Sequence, residues 1–485
     1  MSKIIFNREY ELSELVSFVG EKIEAEQVTT NTYISTDNML VDRGGVEPAS
    51  KLPSVNRFNH FKIGDTLFSN IRTYFRKVWL ADFEGGASAD VLIFRTDDDK
   101  VLDPYYLYFL LSNEDFVNYT VLTAKGAKMP RGDKAAIMQY KFLLPGIDKQ
   151  REIGLKLLDI NKKIQLNRQT NQTLEHIAQA IFKSWFVDFE PTRAKIIIKQ
   201  KGGNELAQEL AAQAVICGAI TLHKLAELEE GLCGIEKELH PLITKRFPNK
   251  GGVDLWQPQQ LAAIAALFPN SLVDSELGEV PEGWEVVGFK DIVEKYIDNR
   301  GKTPPTKESG IPLLEVKHLP EGSIKPNLNT SKYVDDETFE SCFRAHLETD
   351  DIMISTVGTI GRICMVPAGK KIAIAQNLLG MRFNREKVSP YFMYYQMDGF
   401  RFRHDVDARL VITVQASIKR KDLETINLLG PPIELQNQFE RCVLPFVSMQ
   451  QTNQEIELAD VRDTLLPKLL SGELTTVATQ EANHV

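Results

Sequence analysis

Apolar residues recur at alternating gaps of four and three along one long stretch of the chain. From Ile147 to Phe189 they run Ile153, Leu157, Ile160, Ile164, then Asn167 and Asn171, then Leu174, Ala178, Ile181 and Trp185. That spacing is the heptad seam of a coiled coil. No proline lies between these limits, and the one glycine, Gly154, sits near the start, so the pattern predicts a single helix. At about 1.5 Å per residue it would reach roughly 60 Å. The two seam asparagines trade stability for register. The plainer alternative is a long core helix of an ordinary globular domain. A second, related seam near the C-terminus favours pairing.

Upstream, short apolar runs alternate with turn chemistry. Gly64-Asp65 precedes Thr66–Ile71, and Glu84-Gly85-Gly86 precedes Ala87–Phe94; both runs predict strands bounded by turns. Pro104 opens a helical run through Leu111. The same design returns downstream at one offset, 351 − 65 = 286, which pairs Asp65 with Asp351. At that offset Ser69 meets Ser355, Ala87 meets Ala373, Pro104–Phe109 meets Pro390–Tyr395, Pro145 meets Pro431 and Gln150 meets Gln436. One register held this long marks an internal duplication. The seam repeats as well: Leu174, Ile177, Ile181 and Trp185 match Leu458, Val461, Leu465 and Leu469, each 284 apart. Pro445 and Pro467 interrupt the second seam and predict a kink, or a start after Pro445.

Residues 191–277 do not repeat. Leu206–Leu232 is rich in Ala and Leu, Phe247–Gly252 reads as a loop, and Gln257–Phe268 as a short helix. The chain therefore divides into a first mixed domain (1–146), a central helix (147–190), an inserted helical region with linker (191–277), a second mixed domain (278–432) and a C-terminal helix with tail (433–485). The predicted class is α+β: two similar mixed α/β domains separated by long antiparallel coiled-coil helices in a pseudo-two-fold arrangement. A single seamed helix would leave its stripe wet, so intramolecular pairing is the expected outcome. Each buried Leu, Ile or Trp contributes roughly 1.5–3 kcal/mol.

Composition changes this picture little. The chain is 43% hydrophobic and 25% charged, ordinary for a globular protein. The net charge of −9 argues against a basic footprint over the whole surface and directs attention to local cationic patches. Five scattered cysteines without a C-x-x-C pair read as reduced thiols in a cytosolic protein, with no zinc site. Met1–Tyr10 does not read as a signal peptide. No stretch approaches the ~18 apolar residues of a membrane span.

Three stretches carry a family resemblance. They are Asn171–Glu175 running to Phe182-Lys183-Ser184-Trp185-Phe186-Val187-Asp188-Phe189-Glu190-Pro191, Phe268–Ser271 with Asp274–Trp284, and Arg462–Leu474. In this order they resemble the specificity subunit of Type I restriction–modification enzymes, over essentially the whole chain. The resemblance implies two target recognition domains, each reading one half of a split, asymmetric site on double-stranded DNA. It implies helical spacers that set the half-site distance and dock two modification (methyltransferase) subunits, with Phe182, Trp185, Phe186, Leu465 and Leu469 as the expected contacts. It further implies a non-catalytic chain in the cytoplasm that binds no cofactor. S-adenosylmethionine would sit on the modification subunits, and ATP and Mg²⁺ on restriction subunits. One departure stands out: the first half lacks the Gly278–Trp284 lead-in and begins near Tyr10, which leaves its first strand open.

The residues independently disfavour an active site. Gly301-Lys302-Thr303 ends like a phosphate-binding loop, but Tyr296 stands where the first glycine belongs, and Pro304-Pro305 forbids the helix that should follow. Glu315-Val316-Lys317 mimics a nuclease pair without an upstream Asp to share a cation. His176 reads as a packing or solvent residue beside the seam.

DNA contact must then come from patches. In the first domain the candidates are Asn31, Asn70, Arg72, Arg76 and Lys77, with Lys128, Arg131 and Lys134 further on. In the second they are Asn299, Arg300 and Lys302, then Arg362, Arg409, Lys419 and Arg420. Lys134 and Arg420 are 286 apart and so occupy equivalent positions. Cations neutralise phosphates, whereas paired donors and acceptors such as Asn read base edges. The rival expectation is an assembly scaffold that binds proteins only, which the acidity favours.

Overall fold

The computed structural model describes residues 6–126, 129–228, 235–246, 258–299, 303–410, 416–452 and 454–473. Ile147–Phe186 is one helix of 40 residues. Its predicted seam lies inside: Ile153, Leu157, Ile164, Leu174, Ala178 and Trp185 are all buried. The chain forms two units, one made of residues up to Gln169 with those from Gln454 onward, the other of Thr170–Asn453.

Within the first unit, the helix pairs antiparallel with Glu455–Leu470. Ile153 and Leu157 share a core with Leu466, Leu469 and Leu470. Arg462 Nη1 donates to Asn161 Oδ1 at 2.8 Å, and Arg168 Nε to Glu455 at 2.9 Å. Within the second unit, its C-terminal part pairs antiparallel with Ile433–Thr452. Phe182 and Phe186 pack on Phe439 at 5.7 and 5.4 Å between ring centroids, and Gln450 Nε2 donates to the Asn171 carbonyl at 3.1 Å.

Two expectations change. The buried register-setting amide is Asn161, off the predicted seam, while Asn167 and Asn171 are only half-buried. Pro445 and Pro467 lie inside their helices; the helical run instead breaks between Thr452 and Glu455. Both prolines are exposed, so the carbonyl each one frees a turn earlier can be hydrated.

The mixed regions of the two units share one strand pair and one four-stranded sheet, while a further sheet has four strands in the first unit and three in the second. In the first unit, Phe6–Glu11 pairs antiparallel with Lys141–Pro145. A four-stranded sheet runs in the order Val16–Phe18, Val91–Thr96, Thr66–Ser69, Val78–Leu80. In the second, Glu285–Gly288 pairs with Asn427–Gly430, and a sheet runs Val293–Ile297, Leu378–Phe383, Ile352–Ser355, Ile363–Met365.

The conserved offset has a polar cause. Gln150 accepts from the Asp103 amide at 2.9 Å and donates to the Pro145 carbonyl at 2.8 Å. Gln436 does the same with Ser389 and Pro431, at 3.0 and 2.7 Å. Each glutamine ties a strand end to the cap of an aromatic helix, Pro104–Ser112 or Pro390–Asp398. Asp65 holds Arg95 at 2.7 Å, and Asp351 holds Arg382 at 2.9 Å.

The first strand left open by the missing lead-in is Phe6–Glu11. The lead-in itself forms a hairpin, Leu272–Ser275 with Gly278–Pro281. Residues between the central helix and that hairpin are helical: Glu190–Gln200, Glu205–Ile216, Leu222–Glu227, Ile235–Arg246 and Pro258–Ala265. The expected loop at Phe247–Gly252 lies outside the described residues.

The predicted strand Ala87–Phe94 is two strands in different sheets, split by a turn in which the Val91 amide bonds the Ser88 carbonyl at 3.1 Å. Gly85-Gly86 is not the turn before it but part of the strand Gly85–Ala87. A Cβ on Gly85 would stand 2.0 Å from the Thr32 carbonyl oxygen, and one on Gly86 2.7 Å from Phe58 Cβ. Glycine here lets two backbones meet. Gly85→Ala is therefore expected to destabilise the chain by about 2–3 kcal/mol, as overpacked core sites do. Urea denaturation of the two proteins checks this, and a loss under 0.5 kcal/mol on the same scale would contradict it.

One acid sits inside the second unit's helix pair. Glu175 is 3% exposed. It faces Gln450 at 3.4 Å, Gln179 at 3.2 Å and Tyr395 at 3.5 Å, with Asp398 nearby. Burial pushes its pKa up from 4.5 to about 7. Between those pH values the folded chain holds a proton that the unfolded chain has lost, so stability falls as pH rises through this window. Above it, the buried charge costs roughly 3 kcal/mol. Glu175→Gln should raise the melting temperature at pH 8 and change it little at pH 4.5. An equal shift at both would show that the charge is not the cause.

Candidate nucleic-acid interface

In each unit the sheet strand that begins after the shared aspartate ends in a loop held by the same backbone bonds. In the first unit the strand is Thr66–Ser69. The Asn70 amide bonds the Asp90 carbonyl at 2.9 Å, the Gly132 amide bonds the Asn70 carbonyl at 3.1 Å, and the Arg72 amide bonds the Pro130 carbonyl at 2.9 Å. Ile71 forms a bridge with Arg131. Asp133 then caps the short helix Lys134–Met138. This framework brings Asn70, Arg72, Arg131 and Lys134 together. Arg72 and Lys134 are exposed, and Arg131 pairs with Asp90 at 3.1 Å while its side chain stays 55% exposed. Asn70 is buried with its Oδ1 unpartnered.

The remaining first-unit candidates stand apart from that group. Arg76 pairs with Asp42 at 2.8 Å, and Lys77 Nζ donates to the Thr36 carbonyl at 2.6 Å. Asn31 is exposed in a separate turn closed by the Thr32 amide on the Thr29 carbonyl. Lys128 lies outside the described residues.

The second unit repeats the framework. The Thr356 amide bonds the Asn377 carbonyl at 2.9 Å, the Ile418 amide bonds the Thr356 carbonyl at 3.0 Å, and Val357 bridges Ser417. Lys419 and Arg420 follow directly and are exposed. Arg420 lies 3.9 Å over the Tyr296 ring and bonds Glu424 at 2.7 Å. Arg362 occupies the far end of the loop, where the Ser355 amide bonds its carbonyl at 2.9 Å. Its Nη1 reaches the Leu319 carbonyl at 3.5 Å, and its Nε is buried without a partner.

Arg409 is not part of this group; it bonds Asp405 and Thr425 at 3.0 and 2.9 Å. Asn299 is buried with an unpartnered Oδ1, and Gln376 joins Thr303 at 3.4 Å beside the same loop. Arg300 and Lys302 lie outside the described residues.

The backbone itself distinguishes the copies. Arg72 and Arg76 adopt left-handed φ of 50° and 52°. The matching turns of the second copy hold Gly358 and Gly361, at 85° and 81°. A left-handed residue other than glycine costs roughly 1 kcal/mol. The first copy therefore carries arginine where its fold would accept glycine more easily. Sequence reasoning also passed over Tyr74 and Phe75 of this loop, which are 49% and 38% exposed. The run Arg72-Thr73-Tyr74-Phe75-Arg76-Lys77, in which aromatics are bracketed by cations, was the available signal.

The structure places the expected docking residues inside. Phe182, Trp185 and Phe186 are buried in the second unit's own core, and Leu469 in the first unit's, because the seam already consumes them; Leu465 is half-buried against the same core. Among the described residues, no group of three or more His, Cys, Asp or Glu side chains could hold a metal ion, and no helix is long and apolar enough to cross a membrane.

Comparison with known proteins gives one family match, the Type I restriction modification DNA specificity domain, over residues 22–176 and again over 281–458. The chain is similar to the Type I restriction enzyme HindI specificity subunit of Haemophilus influenzae, 23% identical over 96% of this chain and 99% of that one. It is also similar to the MjaIX specificity subunit of Methanocaldococcus jannaschii, 22% identical over 76% of this chain and 68% of that one. A crystal structure of a Type I restriction-modification system S subunit from M. genitalium matches 97% of this chain and 99% of that one, at 15% identity and a TM-score of 0.49.

Replacing Arg72 by glycine separates fold from contact. Arg72→Gly should leave the melting temperature unchanged or slightly higher, because it relieves the left-handed strain. It should weaken DNA binding and lower the slope of log K against log salt by about 0.9, the loss of one phosphate contact. An unchanged slope would remove Arg72 from the interface.

Proposed function

We propose a function that starts from one premise: the chain belongs to the Type I restriction–modification DNA specificity family. Its part in a Type I complex is sequence specificity on DNA, not catalysis. Each copy reads one half of a bipartite, asymmetric site through the loop that follows its Asp65 or Asp351 strand. The paired helices set the distance between the halves and dock two methyltransferase subunits. The contact is assigned to outward helix positions such as Leu155, Leu166 and Val461, which are 51%, 56% and 47% exposed. S-adenosylmethionine belongs to those subunits, ATP and Mg²⁺ to restriction subunits, and the complex works in the cytoplasm.

One observation carries the reading. The bonds that frame the loop base recur in both copies, while the loop beyond them differs: it carries Arg72 and Arg76 in one, and is one residue shorter with Gly358 and Gly361 in the other. A common frame with unlike contacts is what an asymmetric two-part target requires. Base discrimination comes from side chains that reach base edges, and the frame positions them.

Methylome sequencing of cells carrying this chain with its methyltransferase partner tests the proposal. The expected motif has two specified parts around an unspecified gap. Asn70→Ala should relax one part only, and Arg362→Ala only the other. A contiguous motif, or a pattern indifferent to both substitutions, would overturn it.

A further inference from the structure

We infer that Tyr74 and Phe75 form a wedge that enters the base stack of the half-site read by the first copy; this rests on the DNA reading above. The two rings stand 49% and 38% exposed, with centroids 4.7 Å apart and planes at 52°. They ride on a single tight turn, Thr73–Phe75, with a left-handed residue at each end.

The turn is clamped from behind. The Asp42 and Arg43 amides donate to the Phe75 and Arg76 carbonyls at 3.0 and 2.9 Å. Asp42 also pairs with Arg76 at 2.8 Å, and buried Arg43 is anchored on Asp463 at 2.8 Å. Asp42 and Arg43 are themselves left-handed, at 52° and 61°. Of the six left-handed residues other than glycine among the described residues, four lie in these two hydrogen-bonded segments. Strain gathered in this way marks a geometry held for use.

A monomer gains nothing from presenting two rigid rings to water. Arg72 directly precedes the turn and Arg131 bridges Ile71 just before it, and both are exposed. Apolar or aromatic tips between phosphate-neutralising cations suit insertion between stacked bases. The ligand is therefore one base step of duplex DNA. A pyrimidine–purine step is favoured, since such steps unstack most easily. The second copy has Thr359-Ile360 between its glycines and no ring at the tip. The wedge therefore acts on one half-site only.

The test uses the complex of this chain with its methyltransferase subunits and a duplex carrying the methylome-determined site. 2-Aminopurine is placed in turn at each purine of both half-sites, leaving out the methylated adenine. Binding should raise the fluorescence several-fold at one step of one half-site. Tyr74→Ala/Phe75→Ala should abolish that rise and weaken binding about tenfold, the scale of one lost base stack. The salt slope should not change, and since both rings are on the surface, melting should stay near wild type. An unchanged rise in the double variant overturns the wedge, as does DNA binding with no unstacking outside the methylated base. Loss of the methyltransferase subunits from the purified variant complex would make the rings a protein contact and also overturn it. Absence of DNA binding by the wild-type complex would instead refute the DNA reading itself.

Discussion

The seam of the Ile147–Phe186 helix has to be covered, and the architecture follows from how that is done. Its first half is covered by Glu455–Leu470 and its second by Ile433–Thr452, each antiparallel and each inside one unit. Burial of Ile153, Leu157, Leu174, Ala178 and Trp185 drives both pairings. Polar groups set the register: Asn161 with Arg462 in one unit, and the Asn171 carbonyl with Gln450 in the other. A slip by one helical turn would strand the buried Asn161, Arg462 and Gln450 side chains, at a cost comparable to the burial of a large side chain. Covering the seam consumes Phe182, Trp185 and Phe186, so those residues hold the fold.

The duplication explains which residues could vary. Gln150 and Gln436 each bridge a strand end and a helix cap, and Asp65 and Asp351 each hold an arginine on the neighbouring strand. These are buried polar contacts that fail as a set when one member is lost. The loops beyond them are held by backbone bonds, which tolerate any side chain able to adopt the local φ. Hence Arg72 and Gly358 can occupy the same turn. A rigid frame with replaceable tips allows one ancestral domain to serve two unlike contacts.

Much of this was legible along the chain because it depends on period and offset. The long helix, the repeat at 286 and the Pro-opened aromatic helices are local or self-referential patterns, and they stand in the structure. What depended on a distant partner was not legible. Gly85-Gly86 looks like a turn until the Thr32 backbone is seen against it. Pro445 looks like a helix break until its exposed side of the helix is known. Among the candidate contacts, charge alone selected both Arg72, which is exposed on the loop, and Arg409, which is engaged with Asp405 and Thr425. Composition cannot separate the two.

A net charge of −9 does not oppose DNA contact at these loops. Charges farther than about 8 Å are largely screened at physiological salt, so the local set decides. That set is cationic: Arg72, Arg131 and Lys134 in one copy, Arg362, Lys419 and Arg420 in the other. Several of these side chains carry acidic neighbours, Asp90 beside Arg131 and Glu424 beside Arg420. Exposed pairs of this kind contribute about 0–1 kcal/mol, so exchanging the carboxylate for a phosphate costs little. They also give a means of discrimination. A cation already paired gains less from an arbitrary phosphate than from one placed where it can bond in full, so the acidic neighbours weaken non-specific binding more than specific binding. The overall acidity, screened beyond that distance, leaves the local set of cations and carboxylates to decide.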